Sequence, residues 1–232
     1  MARTVVIAGV GPGLGASLAR KFAREGCAVS LFARSASFVE DLAADLSGTA
    51  GDALAVRADV SDPDDVAAGF EQVREAFGPV DVLVNHASAA PWKGTTDIDP
   101  GEFDRALAVA ARGGLLCSRE AVPDMLDGDG GTIIFTGATS AVRGREGAVG
   151  FSAAKFAVRG MAGSMARELG PRGVHVAHVV IDGGIRPPDR TVENPETYLD
   201  PDAIAESYWH LVEQDRSSWT LELDLRPHVE EF

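Results

Sequence analysis

The sequence predicts an α/β fold, a doubly wound three-layer sandwich with helices on both faces of a central parallel sheet of about seven strands. Short, almost wholly apolar runs alternate with segments of helical periodicity along all 232 residues. Such runs are typical of parallel strands buried on both faces. A glycine-rich turn joins the first run to the first helical segment. The length fits one domain, and we expect a single domain over residues 1–232.

The predicted elements follow one another in chain order. Apolar runs predict strands at 5–8, 28–33, 53–58, 80–84, 131–137, 174–181 and 219–223. Helical periodicity predicts helices at 13–24, 38–46, 61–77, 100–125, 150–169 and 201–213. The third helix has a capping signal in Ser61, Asp62 and Pro63.

Residues 183–200 show no clear periodicity and include Pro187 and Pro188. A structureless stretch of this length in a compact domain has two interpretations, a lid over a binding site or a solvated surface connection. The sequence leaves both open.

Composition and charge exclude several classes of protein. The net charge of −14 argues against nucleic acid and anionic membrane surfaces as partners, because both require a basic face. No apolar run approaches the roughly 20 residues needed to span a bilayer. The two cysteines, Cys27 and Cys117, cannot form a disulfide framework, so we expect a protein of the reducing cytoplasm.

The turn after the first strand predicts a dinucleotide pocket in a Rossmann-type domain. Glycines in such a turn permit a sharp bend, let the backbone approach a pyrophosphate and let the helix pack on the sheet. The helix N-terminus then offers free N–H groups and a positive dipole end to phosphate. The residues predicted to contact the cofactor here are Gly9, Gly11, Pro12, Gly13, Leu14 and Gly15.

The end of the second strand indicates which cofactor is bound. An acidic residue at this position would bind the ribose 2′-hydroxyl of NAD, but the chain has Ala33, Arg34 and Ser35. Arg34 can face a 2′-phosphate, which favours NADP(H) over NAD(H). The alternative is a surface arginine that begins a helix.

With these motifs the chain resembles the short-chain dehydrogenase/reductase family along nearly its whole length. The glycine turn has Ala8 where the family has threonine, and residues 85–88 match a four-residue motif at two positions. Pro187 stands where a threonine helps to hold the nicotinamide carboxamide. The resemblance implies further cofactor contacts at Asp59, Val60, Asn85, Ala87, Lys155, Asp182 and Gly183.

The resemblance also implies a site of four catalytic residues, of which this chain retains one. In the family a tyrosine exchanges the substrate proton, a serine positions the substrate oxygen, and an asparagine supports a water relay to a lysine. Lys155 is the retained lysine, while Phe151, Ala138 and Ala110 occupy the other three positions. A register shift would make Ser140 the serine instead. The Phe-x-x-x-Lys pattern is similar to that of a divergent subgroup.

A phenyl ring has no exchangeable proton, so Phe151 cannot act as a general acid. A positioned general acid typically raises the reaction rate by roughly 10²–10⁴-fold. Other groups are therefore candidates for the proton donor or for substrate contacts. Tyr208 and His210 are two residues apart on a helix and face different ways. The full set of candidates is Lys155, His86, Tyr208, His210, Arg143, Arg145, Glu146 and Asp182.

We expect an NADP(H)-binding oxidoreductase that acts on an unidentified small carbonyl compound or alcohol. The alternatives are a non-redox enzyme, such as an isomerase, dehydratase or cyclase, and a catalytically silent binding or scaffold protein. No metal site is expected, because the five histidines are not grouped with the cysteines. His175 and His178 lie on opposite faces of one strand. The helix at 150–169 is rich in small residues, and the resemblance implies a homodimer or homotetramer through it.

Overall fold

A computed structural model describes residues 2–47 and 51–230 and confirms the predicted fold class. The seven strands of its main sheet are β1 Thr4–Ala8, β2 Ala28–Ala33, β3 Ala53–Arg57, β4 Val82–Asn85, β5 Gly131–Thr136, β6 Val174–Ile181 and β9 Glu222–Leu225. The strands lie in the order β3-β2-β1-β4-β5-β6-β9. Every pair of neighbours is parallel.

Helices cover both faces of this sheet. They are α1 Leu14–Arg24, α2 Ala36–Leu46, α3 Pro63–Phe77, α4 Pro100–Leu107, α5 Gly113–Asp127, α6 Val149–Leu169 and α7 Pro201–Val212. The helix predicted at 100–125 is α4 and α5 joined by a π-helical turn at Ala108–Arg112.

Side chains that alternate along each strand fill two separate cores. Val5 and Val82 belong to the core under α1, α2 and α7, whereas their neighbours Val6 and Leu83 belong to the core under α3, α5 and α6. Burial on both faces explains why the strands are apolar runs without polar alternation.

The strand order reverses between β1 and β4, because the chain first builds outward to β3 and then returns to the other side of β1. In open α/β sheets, ligands bind outside the carboxyl ends of the strands at such a switch point. The fold therefore places a binding site beside the ends of β1 and β4.

The last strand corrects the prediction of 219–223, because pairing begins at Glu222 beside His178. Trp219 is instead stacked on His175 with ring centroids 4.9 Å apart. Gln214 holds the backbone N–H of Thr220 at 2.8 Å. These contacts hold Trp219 and Thr220, and Leu221 joins the sheet through its carbonyl, which accepts from the His178 backbone N–H at 2.9 Å.

Residues 183–200 contain more order than the sequence predicts. Gly184–Ile185 and Tyr198–Leu199 form a short parallel pair, β7 and β8, beside the main sheet. The Arg186 backbone N–H also donates to the Leu199 carbonyl at 2.9 Å. The two ends of this segment are therefore held together.

The two histidines of β6 face opposite ways, as predicted, and both are buried. His175 contacts the Leu211 carbonyl of α7, whereas His178 contacts the Glu222 carboxylate. Within the described residues, no helix combines the length and apolar character needed to cross a membrane. Cys27 and Cys117 are free and buried, and burial raises the pKa of the Cys27 thiol to about 11.

Helix α3 begins with the cap that the sequence predicts. The Asp62 carboxylate accepts hydrogen bonds from the backbone N–H groups of Asp64 at 2.9 Å and Asp65 at 3.3 Å. Pro63 occupies the first helical position, where a missing N–H costs nothing. The cap fixes where the chain turns after β3.

We expect Asp62→Ala to lower the free energy of unfolding by about 1 kcal/mol, because two backbone N–H groups lose their acceptor. Glu71→Ala, at an exposed position in the middle of the same helix, is the control and should change stability by less than about 0.5 kcal/mol. Urea unfolding followed by circular dichroism measures both. Equal effects of the two changes would contradict the role of the cap.

Candidate active site

A cleft of about 1390 Å³ opens at the carboxyl edge of the sheet. Its walls are the turn after β1, the ends of β2 and β3, and the loops after β4, β5 and β6. This is the switch point that the strand order predicts, and Val109, two residues of α6 and Glu230 also line the cleft.

Glycine occupies the positions of the turn after β1 for different structural reasons. Gly9 has φ +104°, and a Cβ there would lie 2.5 Å from the Ala87 Cα, so only glycine fits. A Cβ at Gly15 would lie 3.0 Å from the Val10 Cα, which indicates tight packing of α1. At Gly11 and Gly13 a Cβ would meet nothing within 4 Å. Gly11 and Gly13 therefore border open space rather than a close neighbour.

Helix α1 begins at Leu14 with no side-chain cap on its first N–H groups. Its N-terminus can therefore receive an anion. Pro12 lines the cleft with Gly9 and Gly11, whereas Leu14 and Gly15 are buried in the fold. Leu14 and Gly15, two of the turn residues predicted to contact a cofactor, therefore serve to position α1.

The adenosine end of a dinucleotide would meet the ends of β2 and β3. Ala33, Arg34 and Ser35 line the cleft there, opposite Asp59 and Val60. The Asp59 carboxylate accepts from the Ser61 hydroxyl at 2.6 Å, and this hydrogen bond lowers the pKa of Asp59. The charge of Arg34 contributes to the same shift. The Arg34 guanidinium and the ionised Asp59 carboxylate therefore border this end of the cleft.

Two predicted cofactor contacts, Asn85 and Asp182, are turned into the protein. The Asn85 amide donates to the Ser118 hydroxyl at 3.2 Å, which ties β4 to α5. The Asp182 carboxylate accepts from the Thr139 hydroxyl at 2.7 Å and from Arg143 at 3.2 Å. Both side chains are buried and lie outside the cleft lining.

Their neighbours Ala87 and Gly183 do line the cleft. The Ala87 backbone N–H donates to the Ala8 carbonyl at 2.6 Å, so the loop after β4 is fixed against β1. Gly183 has φ +147°, which a residue with a side chain rarely adopts. At Asn85 and Asp182, then, the structure supports a bracing role for the side chain.

Three of the four positions singled out for catalysis meet in the cleft. Lys155, Phe151 and Ala138 line it, whereas Ala110 is buried in the π-helical turn behind it. Ser140, the alternative serine, also borders the cleft, but its hydroxyl is buried and has no hydrogen-bond partner among the described residues. At this point the open surface of the cleft therefore carries the methyl group of Ala138 rather than the hydroxyl of Ser140.

Lys155 is a buried cation. Its Nζ donates to the Thr136 carbonyl at 2.8 Å and lies 5.5 Å from the centroid of the Phe151 ring. Within the described part of the chain, no carboxylate lies within 4 Å of it. Burial therefore lowers the pKa of Lys155 from 10.5 to about 8. A lysine with this pKa can both give and take a proton near neutral pH.

The side chain of Thr136 connects two of the proposed donors. His86 Nδ1 lies 3.1 Å from the Thr136 hydroxyl, which lies 2.8 Å from the Tyr208 hydroxyl. Burial, with a smaller effect of the Lys155 charge, lowers the pKa of His86 to about 4. His86 is therefore neutral at pH 7. His210 is exposed and faces away from this group, as its spacing from Tyr208 predicts.

Sequence reasoning missed Thr136, although it is a polar residue at the end of an apolar strand, which is a usable signal. It also missed Trp92, an exposed residue in the loop after β4. The Trp92 ring lies 5.1 Å from that of Phe151, and the Arg145 guanidinium lies 5.6 Å from the Trp92 ring. The open end of the cleft is therefore bordered by two aromatic rings and a cation. No group of three potential metal ligands occurs among the described residues.

Comparisons with known proteins agree with this geometry. A family model described as short chain dehydrogenase matches residues 3–195. A 3-oxoacyl-(acyl-carrier-protein) reductase of Staphylococcus aureus is 31% identical over 177 residues, which cover 76% of this chain and 72% of that protein. A versicolorin reductase of Emericella nidulans is 32% identical over 144 residues, 61% of this chain. The match spans about half of the fungal protein's length, 54%.

Three solved structures cover nearly the whole chain. A short-chain dehydrogenase from Rhodopseudomonas palustris has a TM-score of 0.85 at 32% identity, covering 97% of this chain and 99% of its own. An alcohol dehydrogenase from Thermococcus sibiricus, complexed with 5-hydroxy-NADP, has a TM-score of 0.90 at 25% identity, covering 100% and 99%. A 3-ketoacyl-(acyl-carrier-protein) reductase from Brucella melitensis, complexed with NADH, has a TM-score of 0.87 at 29% identity, covering 97% of each chain.

We expect Lys155→Met to stabilise the protein at pH 7 by up to about 3 kcal/mol, because the buried ammonium penalises folding. The folded-state pKa lies below the unfolded one, so the cost is complete below pH 8. It shrinks as the pH rises through 8 and vanishes above 10.5. Urea unfolding of both proteins between these limits measures the difference.

Lys93→Met is the matched control. Lys93 is exposed and its pKa is raised by the hydrogen bond to Glu102, so this change should not stabilise the protein at neutral pH. A difference between Lys155→Met and the parent protein that stays constant with pH would contradict a buried, destabilising ammonium.

Proposed function

The chain belongs to the short-chain dehydrogenase family, and on that premise we propose that it is an oxidoreductase that binds NADP(H) and acts on a small carbonyl compound or the matching alcohol. The observation that carries the proposal is Lys155, a buried lysine that lines the cleft with its ammonium held by the Thr136 carbonyl and whose pKa burial lowers to about 8. The named relatives are reductases or dehydrogenases, and none supports the isomerase, dehydratase, cyclase or scaffold alternatives.

The cleft fits a nicotinamide dinucleotide. The pyrophosphate would lie over Gly11 and Gly13, where the backbone is open, and against the uncapped N-terminus of α1. Asp59 and Val60 would border the adenine, and Gly183 the nicotinamide end. The related structures contain both NADP-type and NADH cofactors, so the choice depends on this chain's own residues.

Arg34 supports NADP(H). It is exposed at the end of β2, lines the cleft and forms no ion pair within 4 Å among the described residues. A guanidinium binds a 2′-phosphate with two parallel hydrogen bonds, while no acidic residue is present at the end of β2 to bind a 2′-hydroxyl.

In this proposal Lys155 exchanges the substrate proton. The bound nicotinamide would supply or accept the hydride. One hydrogen of the Lys155 ammonium is donated to the Thr136 carbonyl, which leaves two for other acceptors. In reduction, the ammonium gives a proton to the carbonyl oxygen, and in oxidation the neutral amine takes one from the alcohol. The ammonium lies over the face of the Phe151 ring, 5.5 Å from its centroid.

The open end of the cleft favours a substrate with an apolar or aromatic substituent. The Phe151 and Trp92 rings would pack against such a group, and Trp92 is 59% exposed without one. Residues 183–200, anchored at both ends by the β7–β8 pair, would form the lid beside it. Both assignments rest on the proposed function.

We further propose a homodimer or homotetramer formed through α5 and α6. Phe156 and Leu115 are exposed there, and the surface around Gly160 is open enough for close approach of a second helix. The two free, buried cysteines support a cytoplasmic protein.

Arg34→Gln should weaken NADPH binding by roughly tenfold to a hundredfold, because a charge-assisted pair with the 2′-phosphate is lost. Calorimetric titration with NADPH and NADH measures the Kd values, and the Kd for NADH should not change. Arg20→Gln removes the same charge from an exposed position on α1 and is the control. If Arg34→Gln and the parent protein bind NADPH equally, the preference for NADP(H) has another cause. Failure of the parent protein to bind any nicotinamide cofactor would overturn the proposed function.

The value of kcat/KM for reduction should be constant below pH 8 and fall above it, because the reaction requires protonated Lys155. For oxidation it should rise to pH 8 and then level off, because the neutral amine is the base. Initial rates with a panel of aromatic and aliphatic aldehydes and alcohols measure both profiles, and Lys155→Met should abolish both. Profiles without this inflection, or activity retained by the variant, would exclude lysine as the proton donor.

A further inference from the structure

Three side chains form a continuous chain of polar contacts from the core to the cleft. Tyr208 on α7 contacts the Thr136 hydroxyl at 2.8 Å, and Thr136 contacts His86 Nδ1 at 3.1 Å. Tyr208 is fully buried, Thr136 is almost so, and His86 lines the cleft. Tyr208 lies outside the cleft lining, whereas Thr136 and His86 both belong to it.

The hydrogens of this chain can be arranged in three ways. In the first, His86 Nδ1–H donates to Thr136 and Thr136 donates to Tyr208, so the phenol hydrogen has no acceptor, because Thr136 is its sole hydrogen-bond partner in the described part of the protein. In the second, Tyr208 donates to Thr136 and Thr136 donates to His86, so every buried hydrogen is used. In the third, Tyr208 and His86 Nδ1–H both donate to Thr136, and the Thr136 hydrogen has no acceptor among these groups. A buried donor without an acceptor is costly, so the second arrangement is favoured.

The second arrangement fixes the tautomer of His86. Since Nδ1 accepts a hydrogen bond, the single hydrogen of a neutral imidazole must be on Nε2. The imidazole is neutral at pH 7, since its pKa lies at about 4. Nδ1 is turned to Thr136, so the Nε2 side of the ring is the side that faces the cleft.

His86 and Lys155 are held by the same residue. Thr136 binds Lys155 through its backbone carbonyl and His86 through its hydroxyl, and the charge of Lys155 affects the pKa of His86. Both side chains are therefore anchored at the end of β5, and both line the cleft. Phe151 and Ala138, also in the cleft wall, carry no hydrogen-bond donor in their side chains.

We propose that His86 is a catalytic residue whose neutral Nε2–H binds the substrate oxygen, while the hydroxyls of Tyr208 and Thr136 hold it in that tautomer. This inference rests on the proposed function and adds a second hydrogen-bond donor to it. Lys155 supplies the proton, and His86 stabilises the negative charge that develops on the oxygen. His86 keeps its own hydrogen throughout, because transfer would leave an imidazolate.

The tautomer is tested without substrate. Two-bond proton–nitrogen correlation spectra of protein labelled with nitrogen-15 histidine distinguish Nε2–H, Nδ1–H and imidazolium rings, and His86→Gln assigns the signal. At pH 7 we expect His86 as Nε2–H. Thr136→Ser keeps the hydroxyl and the tautomer, whereas Thr136→Val removes the hydroxyl, leaves the backbone carbonyl for Lys155 and should give a mixture. Nδ1–H or imidazolium in the parent protein, or an unchanged Nε2–H signal in Thr136→Val, would overturn the inference.

The role in catalysis is tested by kinetics. His86→Leu should lower kcat/KM roughly a hundredfold to a thousandfold, as expected when one donor to a developing oxyanion is lost. His86→Gln retains an amide donor and should lose less. His210→Gln, at the exposed histidine, is the control for the loss of a histidine. The Kd for NADPH should be the same in all three variants, so a failure to bind cofactor contradicts the proposed function rather than this inference. Parent activity in His86→Leu would show that His86 does not bind the oxygen.

Discussion

The arrangement of the site depends on one hydrogen bond, from Lys155 Nζ to the backbone carbonyl of Thr136. It holds a charged group inside the protein with no carboxylate beside it in the described structure. A buried ammonium with so little compensation is costly, and that cost lowers its pKa into the range useful for proton transfer. Because the partner is a main-chain atom at the end of a central strand, the position of Lys155 is set by the sheet itself. The same residue orients His86 through its side chain.

Phe151 changes how the lysine is stabilised rather than removing the site. Its ring centroid lies 5.5 Å from the ammonium and 5.1 Å from the centroid of the Trp92 ring. An aromatic face attracts a cation without giving it a hydrogen bond. The ammonium hydrogens that do not bind Thr136 are therefore left for a ligand. A tyrosine hydroxyl at this position would introduce an additional polar group beside the ammonium.

Local features could be predicted from the sequence, and contacts between distant residues could not. The glycine turn, the cap at Asp62 and the apolar strands depend on neighbours in the chain, and the structure contains all of them. The Asn85 side chain, which the sequence assigns to the cofactor, donates to Ser118, 33 residues away. The Thr136–Tyr208 contact joins residues 72 positions apart, which no local pattern reveals. The sequence singled out Lys155 and the three positions where the resembling family has a polar catalytic side chain and this chain does not. It did not reveal the Thr136 hydroxyl that orients His86.

The glycines of the first turn differ in what would keep them unchanged over evolutionary time. Replacement of Gly9 would bring a side chain into the backbone of Ala87, so the folding of any descendant requires it. Gly11 has no protein atom within 4 Å of a Cβ and no positive φ, so folding alone would tolerate another residue there. Gly13 is as open, but its backbone lies at φ −91° and ψ −127°, outside the regions that residues with a side chain prefer. In a lineage that ceased to bind a dinucleotide, substitutions would therefore accumulate first at Gly11. Its identity would record selection by a ligand, whereas that of Gly9 records selection for the fold.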